Sequence, residues 1–343
     1  MSESLPRATI KEVARAAGVS TATVSRALNG RAYVAGATRR RVRAIAARLG
    51  YVANAAARAL STSRTLTIAV LHPNVTGEFL AELIAGIGRM ARNHGYDLLI
   101  SNSHDAREPA GNASRALRGR VDGVIAWAPD VRALRVSPYD LPTVMLTGHV
   151  VGDVNPPTHT LTVDNHAGAY LMVGHVLKLG HRRIATIAGP RSSRDAAERL
   201  RGYVDALRDA GIAASSRLIV RGDFSEISGY EATQRLLKMR QRPTAIFAAN
   251  DSMAVGALSA LGEAKLSVPG DVAVVGFDDI PTARFTNPPL TTIRADIGGM
   301  GERAVLRLLD VIDHPGRRPR QEMLPTSLVV RESCGAKAKA TRP

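Results

Sequence analysis

Residues 9–30, TIKEVARAAGVSTATVSRALNG, decide how the N-terminal part of this chain folds. Thr9 followed by Glu12 has capping-box spacing, in which each side chain satisfies a free backbone N–H at a helix start. Ile10, Val13, Ala14 and Ala17 then recur at helical intervals. Gly18 supplies the left-handed residue that ends a helix without a Cβ clash. Ser20 is a good N-cap for a second helix, Thr21 to Leu28, whose inner face carries Val24 and Leu28. Two short helices joined by a tight Gly-containing turn form a helix-turn-helix. A third amphipathic helix, roughly Thr38 to Leu49, offers Val42, Ile45 and Leu49 to close a small core.

Moving outward, charge suggests a partner for this unit. The 343 residues carry 46 Lys and Arg against 30 Asp and Glu, a net charge of +16. Residues 1–64 hold twelve of those bases (Lys11 and eleven Arg) and only two acids, Glu3 and Glu12. A basic head on a nearly balanced body points to double-stranded DNA. The second helix of such a motif lies in the major groove, its N-terminal residues against base edges. Thr21, Ala22 and Ser25 fall on that surface. Arg26, one turn on, is the candidate for a bidentate contact to guanine, worth roughly 1–3 kcal/mol of discrimination. Ser20 and Thr23 read as phosphate contacts that position the helix. An isolated match of this kind is often only a tight helix pair in a bundle, and its place in the basic region favours DNA. The run Arg39, Arg40, Arg41 and Arg43 is in part a solvated face, so only some of it is assigned to phosphate.

Residues 55–65, AAARALSTSRT, are small and polar and read as a linker. Beyond it strands and helices alternate. Short β-rich runs occur at Leu66–Leu71, Asp97–Ser101, Gly123–Ala126 and Thr143–Leu146, with helical stretches such as Phe79–Asn93 between them. The rhythm restarts after Val163, at Ile184–Ala188, Leu218–Arg221, Ala245–Ala248 and Val272–Gly276. Alternation implies α/β architecture, parallel sheets covered by helices on both faces. Two rounds imply two similar subdomains, with a ligand cleft outside their C-terminal strand ends. The loops there carry His72, Asn74, Phe79, Trp127, Ser193, Asp195, Arg199, Phe224, Asn250, Asp251, Asp278 and Asp279. Aromatic faces together with Asp, Asn and Arg suit a polyhydroxylated small molecule. A sugar or sugar derivative leads, with a purine or another metabolite second. Some of these polar residues are equally good helix caps, Asp251 and Asp195 first among them.

Other classes fall away. No run approaches 18 apolar residues, so no membrane-spanning helix is expected. The start, MSESLPRATIKEVARAAG, lacks a charged segment followed by an apolar one, so no secretory signal and a cytoplasmic protein are expected. The single cysteine, Cys334, rules out an intramolecular disulfide and a Cys-based zinc site. Gly86-Ile-Gly88 resembles a dinucleotide fingerprint, but it lies inside a helical stretch and reads as helix packing. There is no phosphate-binding Gly-Lys loop, no His-Glu-x-x-His and no Gly-x-Ser-x-Gly. The nine His are dispersed, so no enzyme activity, metal or cofactor is expected. A solute-binding protein needs export and no basic head. A charge-only architectural protein needs no ligand core.

The runs at 9–30 and at 49–60 (LGYVANAAARAL) resemble the lactose-repressor (LacI-type) family of bacterial transcription regulators. So do 162–190, 242–261, 268–279 and PPLTTIRAD at 288–296. The resemblance implies a homodimeric, ligand-controlled regulator, most simply a repressor, on a pseudo-palindromic operator. It implies a helix-turn-helix headpiece over 8–53, a hinge over 54–64, and a two-lobed periplasmic-binding-protein-like core over 65–335. The N-subdomain would take about 65–162 and 292–323, the C-subdomain about 163–291 and 324–335, and 336–343 would be a disordered tail. Thr9, Asn29, Tyr51, Asn54 and Ala57 complete the implied DNA-contacting set, and Leu60 would wedge into the minor groove. Phe79, Asp164, Arg199, Phe224, Asn250 and Asp278 fall on effector-contacting positions, beside His72, Trp127, Ser193 and Asp195. Two departures stand out: Ala53 precedes the hinge Asn where the family usually has Pro, and Ala35 replaces a Ser cap.

Overall fold

The computed structural model describes residues 8–28, 34–51, 64–72, 77–102, 117–127, 141–146 and 158–336. The chain divides into two compact units, Met1–Leu66 and Thr67–Pro343.

In the first unit, α1 is Ile10–Ala17, α2 Thr21–Leu28 and α3 Gly36–Arg48. The Thr9 N–H donates to Glu12 Oε2 at 2.6 Å and the Glu12 N–H to Thr9 Oγ1 at 3.4 Å, closing the capping box. These hydrogen bonds hold the Glu12 carboxyl below its ordinary range. Gly18 ends α1 at φ 62°, and the Thr23 N–H donates to Ser20 Oγ at 3.1 Å to start α2. Val13, Ala14, Ala17, Val24, Ala27, Val42 and Ala46 form the core, with Ile10, Val19, Leu28, Val34, Ile45 and Tyr51 against it. Leu49 departs from expectation. It caps the C-terminus of α3 and is 37% exposed, so Ala46 and Tyr51 close the core in its place. Ala35 at the start of α3 makes no side-chain capping bond, and the helix begins two residues earlier than expected.

In the second unit, six strands form one parallel sheet in the order β11-β5-β4-β3-β1-β2. They are β1 (Thr67–His72), β2 (Asp97–Asn102), β3 (Gly123–Trp127), β4 (Thr143–Leu146), β5 (His159–Val163) and β11 (Gln321–Leu324). A second parallel sheet has the order β7-β6-β8-β9, from β6 (Ile184–Ala188), β7 (Ile219–Arg221), β8 (Ala245–Ala248) and β9 (Ala273–Val275). Near-continuous burial along β1, β3, β6 and β8 is what a sheet covered on both faces demands. Between the sheets β10 (Thr292–Ala295) and β12 (Thr326–Val329) form an antiparallel ribbon. The chain leaves the six-stranded sheet after β5, returns through β10 and α9 (Ile297–Asp313) to β11, and leaves again into β12. β5, β10, β11 and β12 are additions to the strands expected from sequence.

The remaining helices are α4 (Glu78–Asn93), α5 (Asn165–Lys178), α6 (Arg194–Asp209), α7 (Glu226–Leu237) and α8 (Asp251–Glu263). They pack in pairs at glycines. A Cβ on Gly86 of α4 would lie 2.2 Å from the Gly298 carbonyl oxygen of α9, and one on Gly256 of α8 would lie 1.9 Å from that of Glu226 in α7. Gly88, read together with Gly86 as a packing position, faces only the tip of Arg92 at 3.5 Å and Leu98 at 3.9 Å. Gly86 alone marks a close crossing.

Candidate ligand cleft and DNA-reading helix

In the headpiece, burial of Val24 and Ala27 turns the opposite face of α2 outward. Thr21, Ala22 and Arg26 are exposed, and Thr23 and Ser25 are half-buried. The Ser20 and Thr23 hydroxyls bond each other at 2.9 Å at the mouth of the helix. Arg26 sits one turn in, on the solvent side. Tyr51 packs against the core, a reason for its presence apart from any contact with DNA. Asn29, Asn54, Ala57 and Leu60 lie outside the described residues, as do Asn74, the hinge and residues 337–343.

In the body, a cavity of about 200 Å³ is bounded by Phe79, Trp127, Ser193, Asp195, Arg199, Phe224, Asn250 and Asp278. Gly77, Glu78, Pro190, Ser192, Asp223, Ser252 and Ile280 complete the lining. Phe79, from the start of α4, and Trp127, at the end of β3, stack at 5.4 Å with 29° between planes. Phe224 follows β7, and its ring lies over Gly189, where a Cβ would come within 2.5 Å of it. Its backbone adopts φ 76°, a conformation that costs a non-glycine residue of order 1 kcal/mol or more. The Asn250 side-chain amide donates to the Phe224 carbonyl at 3.0 Å, and its oxygen accepts from the Met253 N–H at 3.0 Å to cap α8. Asn250 therefore fixes the aromatic wall and the helix together, and it is the cap that sequence had assigned to Asp251.

Arg199 is the hub. It is 5% exposed, donates through Nε to Asn165 Oδ1 at 2.7 Å and through Nη1 to the Ala249 carbonyl, and its guanidinium lies 3.8 Å over the Phe277 ring. Nη2 stands 3.0 Å from Asp278 Oδ1. That contact has the distance of an ion pair without the alignment of a hydrogen bond, and Asp278 Oδ1 is left buried with its hydrogen-bonding capacity unused. Asp278 is itself at φ 115°. Burial pushes its carboxyl up to about 6, against the opposing pull of Arg199. Asp195 accepts from the Asn165 amide at 2.7 Å, and burial raises its carboxyl too. Ser193, not Asp195, caps α6 by accepting from the Ala196 N–H at 3.2 Å.

Two expected site residues stand apart from this lining. Asp164 is the N-cap of α5, accepting from the Ala167 N–H at 3.0 Å, while its neighbour Asn165 reaches the cavity floor beside Asp195 and Arg199. His72 ends β1, 9% exposed, and is not among the residues bounding the cavity. Sequence reasoning had not singled out Glu78, whose carboxylate accepts from the Thr282 N–H at 2.9 Å and from the Thr282 hydroxyl. That bond ties α4 to the loop after β9. Asp251 is fully buried, accepting from the Ile280 N–H at 3.0 Å and the Thr292 hydroxyl at 2.6 Å, and burial drives its carboxyl well above the ordinary range. Its role is to lock the Asp278 loop to β10. Among the described residues no group of three or more His, Cys, Asp or Glu could hold a metal ion, and no helix is long and apolar enough to cross a membrane.

Comparison with known proteins places these two units together. Residues 9–54 match the model of the bacterial regulatory proteins of the lacI family, and residues 173–334 that of a periplasmic binding protein-like domain. The chain is 36% identical over 340 residues to the HTH-type transcriptional repressor CytR of Escherichia coli, covering 96% of this chain and 97% of that one. It is 37% identical over 333 residues to the ribose operon repressor of Escherichia coli, covering 95% and 99%. The lac repressor dimer bound to operator and the anti-inducer ONPF superposes with a TM-score of 0.84 at 33% identity, covering 96% of this chain and 99% of that one. The capped helix-turn-helix, the paired parallel sheets and the full-length similarity converge: this chain belongs to the lacI family of bacterial regulatory proteins.

Proposed function

We propose that the chain is a sequence-specific transcription regulator, a repressor that binds a pseudo-palindromic operator as a homodimer under the control of one small ligand in the cleft. The observation that carries the reading is the pairing of an outward-facing α2, with Arg26 on its exposed side, and a separate cavity that holds an unsatisfied buried acceptor, Asp278 Oδ1. A structural relative was solved as a dimer on operator with a small molecule, ONPF. In this reading the DNA contacts come from Thr9, Ser20, Thr21, Ala22, Thr23, Ser25 and Arg26, with Asn29, Tyr51, Asn54, Ala57 and Leu60. The ligand, a sugar, a nucleoside or a derivative of either, is held without being transformed, and the protein acts in the cytoplasm.

Ligand and operator are then coupled. Binding in a cleft between two sheets joined by three crossovers fixes their relative angle, and the hinge segments transmit that angle to the heads. Such coupling is typically 1–3 kcal/mol and reciprocal. Ligand affinity measured by calorimetry should therefore shift about 5–150-fold when operator DNA is added. Equal affinities with and without operator would sink the mechanism.

Arg26→Ala should relax preference at one base pair, costing about 1–3 kcal/mol on the favoured sequence and little on others. Binding-site selection from random duplexes reads this directly. Uniform weakening across sequences would reassign Arg26 to phosphate.

A further inference from the structure

We infer that the cleft selects its ligand by charge, admitting an uncharged, hydroxyl-donating ring compound and rejecting its phosphorylated counterpart. The inference rests on the ligand-binding role proposed above. Among the described lining residues four are acidic, Glu78, Asp195, Asp223 and Asp278, and one is basic, Arg199. An anion receptor needs donors left over for the anion. Arg199 has none in reserve: Nε donates to Asn165, Nη1 to the Ala249 carbonyl, Nη2 faces Asp278, and Phe277 covers one face of the guanidinium. What the cavity offers in excess is an acceptor. Asp278 Oδ1 is buried without a hydrogen-bond partner, in a side chain 5% exposed. A hydroxyl or amine of the ligand completes it, because leaving a charged acceptor unpaired in a buried site is costly.

Size narrows the class further. A cavity of about 200 Å³ falls below the roughly 300–1,000 Å³ of drug-sized pockets, so it suits one monosaccharide or nucleoside. Aromatic rings from both halves, Phe79 with Trp127 and Phe224, supply flat walls for its ring. A phosphate would add about −1.5 to −2 charge at neutral pH beside Asp195 and Asp278, and like charges set together are strongly penalised.

The test is calorimetric titration of the full chain at pH 8, where Asp278 is ionised, with neutral compounds each beside its monophosphate. Suitable pairs are ribose and ribose 5-phosphate, glucose and glucose 6-phosphate, and adenosine and its monophosphate. At least one neutral member is expected to bind, at least about 100-fold more tightly than its phosphate. Asp195→Asn keeps side-chain size, and its amide oxygen can still accept from Asn165; it should shrink that ratio by roughly tenfold. A phosphorylated member that binds as well as its neutral partner overturns charge selection while leaving the ligand site standing. A ratio unmoved by Asp195→Asn makes the exclusion steric and also overturns it. If no member of any pair binds, the small-ring ligand reading itself falls.

Discussion

Asp278→Asn is expected to weaken ligand binding by roughly 10–150-fold, the equivalent of the 1.5–3 kcal/mol typical of a hydrogen bond to a charged group. The reason is local. Asp278 Oδ1 is the buried acceptor that nothing in the protein satisfies, and its loop is held in place at φ 115° by Asp251 beneath it. Asn keeps the shape and removes the charge, so Arg199 retains its bonds to Asn165 and Ala249. Operator binding without ligand serves as the control for folding, because the headpiece is a separate compact unit. An unchanged ligand affinity would take Asp278 out of the site. The same variant changes the response to pH. The folded-state value of this carboxyl is raised from 3.8 to about 6, so the folded state binds the proton more tightly than the unfolded chain does. That contribution to stability is fully present below 3.8 and is lost as pH rises through about 6. Arg199 opposes the shift, while Asp195, facing it, adds to it. In Asp278→Asn this part of the decline in stability between pH 4 and pH 6 should disappear.

Gly256→Ala should be among the most damaging single-methyl changes in the body. A Cβ there would stand 1.9 Å from the Glu226 carbonyl oxygen and 2.7 Å from the Tyr230 nitrogen. The partner glycine, Gly229, meets the Met253 carbonyl oxygen at 2.2 Å in the same sense. Both obstacles are backbone, so relief requires α7 and α8 to separate. Overpacking of this kind typically costs 1–3 kcal/mol, and a backbone clash belongs at the upper end. For a unit of this size, 3 kcal/mol corresponds to a fall of roughly 6–12 °C in the melting temperature. Gly262→Ala in the same helix is the comparison: a Cβ there meets nothing within 4 Å. It should be neutral or stabilising by up to about 1 kcal/mol, the helix propensity gained on replacing Gly. Equal melting temperatures for the two variants would remove the close crossing from the account.

Much of this architecture was readable from local chemistry. Thr9, Glu12, Gly18 and Ser20 declare the first helix-turn-helix boundaries because capping is decided by residues three apart, with no need of a distant partner. The apolar runs at Ile68–Leu71 and Ile184–Ala188 are buried on both faces and read as strands for the same reason. The strands that escaped, β10, β11 and β12, have four residues each. Runs that short carry too little periodicity to stand apart from a loop. Leu49 failed for a related reason: at the last turn of a helix one residue decides whether a side chain faces in or out. Of the residues expected in the cleft, Phe79, Trp127, Ser193, Asp195, Arg199, Phe224, Asn250 and Asp278 meet around one cavity, whereas Asp164 and His72 do not. Asp164 and Asn165 are both polar residues at a helix start. Which of them caps and which reaches the floor depends on where the chain enters α5, and sequence spacing leaves that open.

What the sequence by itself determined is whatever depends on neighbours along the chain. That covers the capped helix-turn-helix, the basic head against a balanced body, the alternation of strand and helix, and the family likeness carried by contiguous runs. What only the tertiary structure decided is whatever depends on residues far apart in the chain meeting in space. Arg199 is drawn to Asn165, Ala249 and Asp278, Glu78 bonds Thr282 across 204 positions, and Asp251 braces Ile280 and Thr292. The difference is physical. A cap is satisfied within one turn, whereas a buried charge has to be satisfied by whichever distant groups the packed sheets bring to it.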